Sequence, residues 1–171
     1  DLNCAGRTRS IIGAQNLINF GIKNKVRALE NGTQGWTLAG YKLENNKTEA
    51  LNLDKIKSQK NKYQNSTNKI IKKFNLKKIN LRTLNSFLEE KTKNTFIFNV
   101  TANQNFSENK MYLRHAPGGQ LIQATDSFVG VLNSKIVLID DGELLRASLT
   151  ASWLKQMGFD VYIFDDDINY L

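Results

Sequence analysis

The chain has 171 residues, 40% of them apolar, and a net charge of +8. That length holds one ordinary domain or two small ones, and no apolar run approaches the roughly 20 residues a membrane-spanning helix needs. A single cysteine rules out an intramolecular disulfide framework, argues against a cysteine-based zinc site, and points to a reducing compartment, in a prokaryote the cytoplasm. The opening residues are polar, lack a secretory pattern and start from Asp1 instead of Met, as in a fragment or a processed product.

In residues 1–44 a short polar loop, Cys4 to Ser10, comes first. From Ser10 to Phe20 apolar residues recur at helical spacing (Ile11, Ala14, Leu17 or Ile18), and Gly21 follows as a helix stop. Residues 26–29 read as a short buried strand and residues 31–35 as a turn. Trp36 then begins another helical turn through Ala39.

Residues 45–80 read as a Lys/Asn-rich linker. Most of the excess charge falls between Lys42 and Lys93, where Lys is mixed with Asn, Ser and Gln and aromatics are few. Such a composition fits a solvated segment better than a nucleic-acid interface. Ile70, Ile71 and Phe74 predict one short helix inside it.

In residues 81–171, Leu81, Leu84 and Leu88 share a helical face, with Asn80 placed as its N-cap. Residues 95–100 read as a buried strand, 120–128 as a short helix and 136–139 as a central strand. Residues 148–157 form a helix stopped by Gly158, and residues 161–164 a further strand. Strand, helix, strand in this order predicts an α/β fold with a parallel sheet and helices on its faces. The first and third regions share a layout of polar loop, helix, glycine stop and short strand, the second loop being residues 140–146.

The first loop carries the chemistry. Cys4 is followed by Ala5, Gly6, Arg7, Thr8, Arg9 and Ser10, and then by a helix. A loop of this kind can turn several N–H groups towards one point, and the helix start and the two arginines add positive charge. All of these favour thiolate, and such surroundings bring a cysteine pKa from about 8.5 to roughly 3.5–7.5. Four residues separate Cys4 from Arg9. Cysteine phosphatases have five between cysteine and arginine, so the smaller ring suits a sulfur centre better than a phosphoryl group. His115, the single histidine, sits among Arg114 and Pro117-Gly118-Gly119 and reads as a loop residue with a structural or surface role.

The run from Cys4 to Ala14 resembles the active-site loop and following helix of rhodanese-family sulfurtransferases. Asn31-Gly32-Thr33-Gln34-Gly35-Trp36, followed by Ala39-Gly40, is similar to that family's closing glycine–tryptophan motif. Residues 115–126 and 150–158 resemble a second rhodanese module of multi-domain members. Asp140 or Asp141 stands there where Cys4 stands in the first, so this module reads as inactive.

The resemblance implies a rhodanese-like three-layer sandwich. Residues 1–44 would be the C-terminal half of a catalytic module, 45–80 a linker and 81–171 a degenerate second module. It implies sulfur transfer through a persulfide on Cys4, with Ala5, Gly6, Arg7, Thr8, Arg9 and Ser10 holding the substrate and no metal or organic cofactor. The partners implied are a small sulfur anion such as thiosulfate and a thiol or protein acceptor, with no nucleic acid and no membrane. Because only three residues precede Cys4, the first module reads as incomplete, completed by an upstream half, and the chain alone as weakly active or inactive. Two other readings remain open: a non-catalytic rhodanese-like binding module, and a Cys-dependent phosphatase or arsenate reductase.

Overall fold

In a computed structural model of the chain, which describes residues 1–6, 8–46, 63–102 and 112–167, two units form separately, Asp1–Lys62 and Tyr63–Leu171. The first holds α1 (Thr8–Phe20) and α2 (Gly32–Leu38). Gly21, at φ 96°, ends α1 as its position predicts.

The buried face of α1 is not the expected one. Ser10, Ile12 and Ala14 are buried, whereas Ile11 and Ile18 are about half exposed. Small residues set the rotation of the helix: a Cβ on Gly13 would lie 2.9 Å from the Leu2 side chain, so α1 turns its least bulky strip towards the incoming chain.

Residues 26–29 do not form the expected strand. Ala28 makes one isolated parallel bridge with Leu2, in which the Leu2 amide donates to Arg27 O (2.7 Å) and the Leu29 amide to Leu2 O (2.8 Å). A single bridge leaves these residues only partly buried. The expected turn at 31–35 is also shorter, because α2 starts at Gly32. Asn31 and Gly32 take φ of 53° and 60°, and this left-handed pair reverses the chain in two residues.

The second unit begins at Tyr63, earlier than the 81 expected. It contains α3 (Gln64–Lys73), β1 (Lys77–Ile79), α4 (Leu81–Glu89), β2 (Thr95–Asn99), β3 (Leu113–His115), α5 (Gly118–Gln123), α6 (Thr125–Phe128), β4 (Lys135–Ile139), α7 (Leu145–Gln156) and β5 (Asp160–Phe164). The short helix predicted from Ile70 is α3; it and β1 pack here through the buried Ile70, Leu76 and Ile79. The remainder of the expected linker, residues 47–62, lies outside the described residues.

The sheet is all parallel, in the order β1-β5-β4-β2-β3. Consecutive residues of the central β4 face opposite sides. Ile136 and Leu138 join Phe98, Ile163, Ile70, Leu121 and Leu154 on the side of α3, α5 and α7. Val137 and Ile139 join Ile97, Ile79, Phe164 and the fully buried Leu84 of α4 on the other. A strand covered on both faces has no polar alternation, which is why β4 is apolar from Ile136 to Ile139. These are the three layers the resemblance implied.

Asn80 caps α4, its Oδ1 accepting the Thr83 amide at 3.0 Å, and Asp166 accepts the Leu81 amide at 3.2 Å. The helix expected over 120–128 is two short ones, broken at Ala124 (φ −136°, ψ 47°). His115 lies at the end of β3 instead of in a loop, with Nε2 2.9 Å from Thr101 O, a structural position. Among the described residues no helix is long and apolar enough to cross a membrane, and no group of metal-ligating side chains gathers.

Candidate active site

The strand-like segment at Leu2 is tied to residues 27 and 29, and it delivers Cys4 to the foot of α1. Cys4 Sγ lies 3.3 Å from Ser10 Oγ, which is 2% exposed. The Ser10 hydroxyl is the main influence on the thiol, followed by the Ser10 amide. Desolvation opposes them, while the amides of Gly6 and Arg9 add to them, and the net result holds Cys4 below its ordinary pKa. The surroundings therefore favour the nucleophilic thiolate. An open cavity of about 540 Å³ in the same unit is lined by Gly6, Gln34 and Leu38 among others.

Of the residues expected to hold substrate, Ser10 meets Cys4 through its hydroxyl, and the backbone amides of Ser10, Gly6 and Arg9 lower the thiol. Ala5, Thr8 and Arg9 are exposed, and Gly6 is half-buried. Arg7 lies outside the described residues. Beyond these, the start of α2 closes on the loop: the Thr33 amide donates to Cys4 O at 2.9 Å and the Gln34 amide to Ala5 O at 3.0 Å. The sequence carries a sign of this in Asn31-Gly32, a left-handed pair that can start a helix as well as a turn.

The second unit builds a similar loop with a carboxylate in it. Asp140 is 4% exposed. Its Oδ1 accepts the amides of Gly142 and Leu144, each at 3.0 Å, and its Oδ2 that of Ala147 at 3.1 Å. Burial raises the Asp140 carboxyl above its ordinary value, the three amides offset part of that, and the neighbouring Asp141 adds to it. Arg146 pairs at 2.6 Å with the exposed Asp141. Of the two aspartates, Asp140 is thus the one that fills the loop with an anion of the chain itself.

No protein-family model matches the chain, and comparison with curated protein sequences gives no match. Among solved structures, a thiosulfate sulfurtransferase from Pseudomonas aeruginosa is similar at 39% identity over 95% of this chain, with a TM-score of 0.80. The chain covers 31% of that protein, so it spans less than a third of its length. A rhodanese homologue from Thermus thermophilus aligns with 56% of this chain and 100% of its own, at 18% identity and a TM-score of 0.41. With the parallel sheet, the cysteine loop and the Pseudomonas likeness taken together, the chain belongs to the rhodanese family of sulfurtransferases.

Proposed function

We propose that Cys4 is the sulfur-accepting nucleophile of a thiosulfate-type sulfurtransferase. The Cys4 thiolate attacks the outer sulfur of thiosulfate, the donor's S–S bond breaks, sulfite leaves with the bonding pair, and Cys4 becomes a persulfide. A thiol or protein acceptor then attacks the outer persulfide sulfur and regenerates the thiolate. The observation that carries this reading is Ser10 Oγ 3.3 Å from the sulfur of Cys4 at the foot of α1, where the Ser10 hydroxyl and the backbone amides of Ser10, Gly6 and Arg9 lower the thiol. Such donors stabilise negative charge on Cys4 or on its outer persulfide sulfur. The loop residues Ala5, Gly6, Arg7, Thr8, Arg9 and Ser10 form the substrate cradle, and no cofactor takes part. The single thiol suits a reducing compartment, the cytoplasm.

In this reading residues 1–44 are the C-terminal half of a catalytic module. The sheet-bearing second unit is a degenerate module, because the carboxylate of Asp140 cannot carry sulfane sulfur. The segment leading into the Cys4 loop is held by an isolated bridge at Leu2 and not by a sheet strand, so the activity of the chain by itself is low and an upstream half of the first module raises it.

Mass spectrometry after thiosulfate treatment tests the reading. The expected result is a gain of one sulfur atom that disappears in Cys4→Ser. No gain, under conditions that label an intact rhodanese, favours a non-catalytic binding module.

A further inference from the structure

We propose that the first turn of α2, Gly32-Thr33-Gln34, is the positioning element of the Cys4 loop: it holds the carbonyls of Cys4 and Ala5 and so fixes the loop backbone, the Gly6 amide included, beside the sulfur. This rests on the reading of Cys4 as the reactive group.

The argument is one of peptide geometry. In a trans peptide the C=O and the N–H point in opposite directions. The unit joining Ala5 to Gly6 has its carbonyl engaged by the Gln34 amide at 3.0 Å, and its N–H, that of Gly6, is among the backbone groups that lower the Cys4 thiol. The unit joining Cys4 to Ala5 has its carbonyl engaged twice, by the Thr33 amide at 2.9 Å and by Thr33 Oγ1 at 3.3 Å. That carbonyl is fixed towards α2, so the Ala5 N–H is turned away from α2. Asn3 Nδ2 donates to Thr33 Oγ1 at 3.0 Å and ties the residue before Cys4 to the same side chain.

These bonds cost α2 nothing, because the first amides of a helix have no partner within it. They also require glycine at 32. A Cβ there would lie 1.8 Å from Gly6 O and 2.3 Å from Cys4 O. Thr33 and Gln34 reach Cys4 through the loop backbone, by way of its own carbonyl and that of Ala5.

The test uses the whole chain, whose single cysteine makes every thiol signal that of Cys4. Iodoacetamide alkylation is followed across pH, with circular dichroism as the control for folding. Thr33→Val deletes the hydroxyl bridge. Gln34→Pro deletes one donor at a first-turn helix position where proline is tolerated. Each is expected to move the alkylation profile to higher pH and to slow the reaction at neutral pH by roughly tenfold, as a tenfold loss of thiolate would. Thr33→Ser restores the wild-type profile. A wild-type profile in Thr33→Val, or in a folded Gln34→Pro, overturns the proposal. Thiosulfate labelling of the wild type is scored separately. Its absence beside a low-pH alkylation profile removes sulfur transfer and leaves the positioning role standing.

Discussion

Asp140 Oδ2 lies 3.1 Å from the amide nitrogen of Ala147, seven residues further on and within the first turn of α7. With Gly142 and Leu144 on the other oxygen, one buried carboxylate closes the whole loop and starts the helix. The same bond explains why α7 begins at Leu145, three residues before the predicted start: Asp140 satisfies an amide that a later start would have left to the loop.

Asp140→Asn is therefore expected to destabilise the chain by about 1–3 kcal/mol, because its Nδ2 would face a donor and leave it unpaired. Urea denaturation measures this. The pH dependence has a defined sign. Burial raises the folded carboxyl above the ordinary 3.8, so its favourable contribution is complete below 3.8 and is lost as pH rises through the higher folded value. The stability gap between wild type and Asp140→Asn should widen on acidification, and a gap that narrows contradicts the raised value.

Ser10→Ala removes the largest influence lowering the Cys4 thiol. Alkylation at neutral pH should slow several-fold, and at strongly alkaline pH, where the thiol is ionised in both proteins, the rates should converge. Ser10→Thr retains the hydroxyl and should stay near wild type. Equal alkylation profiles for Ser10→Ala and wild type would remove Ser10 from the account.

Gly118, at the start of α5, has no room for a methyl group: a Cβ would stand 2.2 Å from Oγ1 of the buried Thr150. Gly118→Ala should cost about 1–3 kcal/mol through overpacking. Adding Thr150→Ala should recover part of that loss, so the double variant falls short of the sum of the two singles. Strict additivity in thermal or urea melts would mean that the two residues do not press on each other.

Phe98 is fully buried on the sheet face that carries α3, α5 and α7, with Phe128 edge-on at 6.0 Å between ring centroids. Phe98→Ala should destabilise the second unit by about 3–5 kcal/mol. Urea denaturation followed by circular dichroism checks this.

Sequence periodicity reveals those elements whose apolar residues decide their own burial. β4 and β5 are apolar enough to be visible, and Asn80 gives the start of α4. Short pieces whose burial depends on a distant partner are not visible. β1 is Lys77-Lys78-Ile79, an edge strand with two exposed lysines, and only its pairing with β5 marks it as a strand. β3 is equally short and sits at the opposite edge. At the candidate site, Cys4 and Ser10 stand out because their chemistry is written in side chains. Thr33 and Gln34 act through backbone amides, which leave almost no mark on residue identity; Gly32 alone records the close approach.

The pairing of β1 with β5 has a consequence for how the second unit comes to be folded. Ile79 sits beside Phe164, the Asp165 amide donates to Ile79 O, and Asp166 holds the Leu81 amide. The first strand of the sheet thus waits for the last one to be made. During synthesis β1 has no strand to pair with until β5 leaves the ribosome. The edge strand is thus sealed by the last strand, and a chain ending after α7 would lose Phe164 from the cluster of Ile79 and Leu84 and leave those apolar residues open to aggregation.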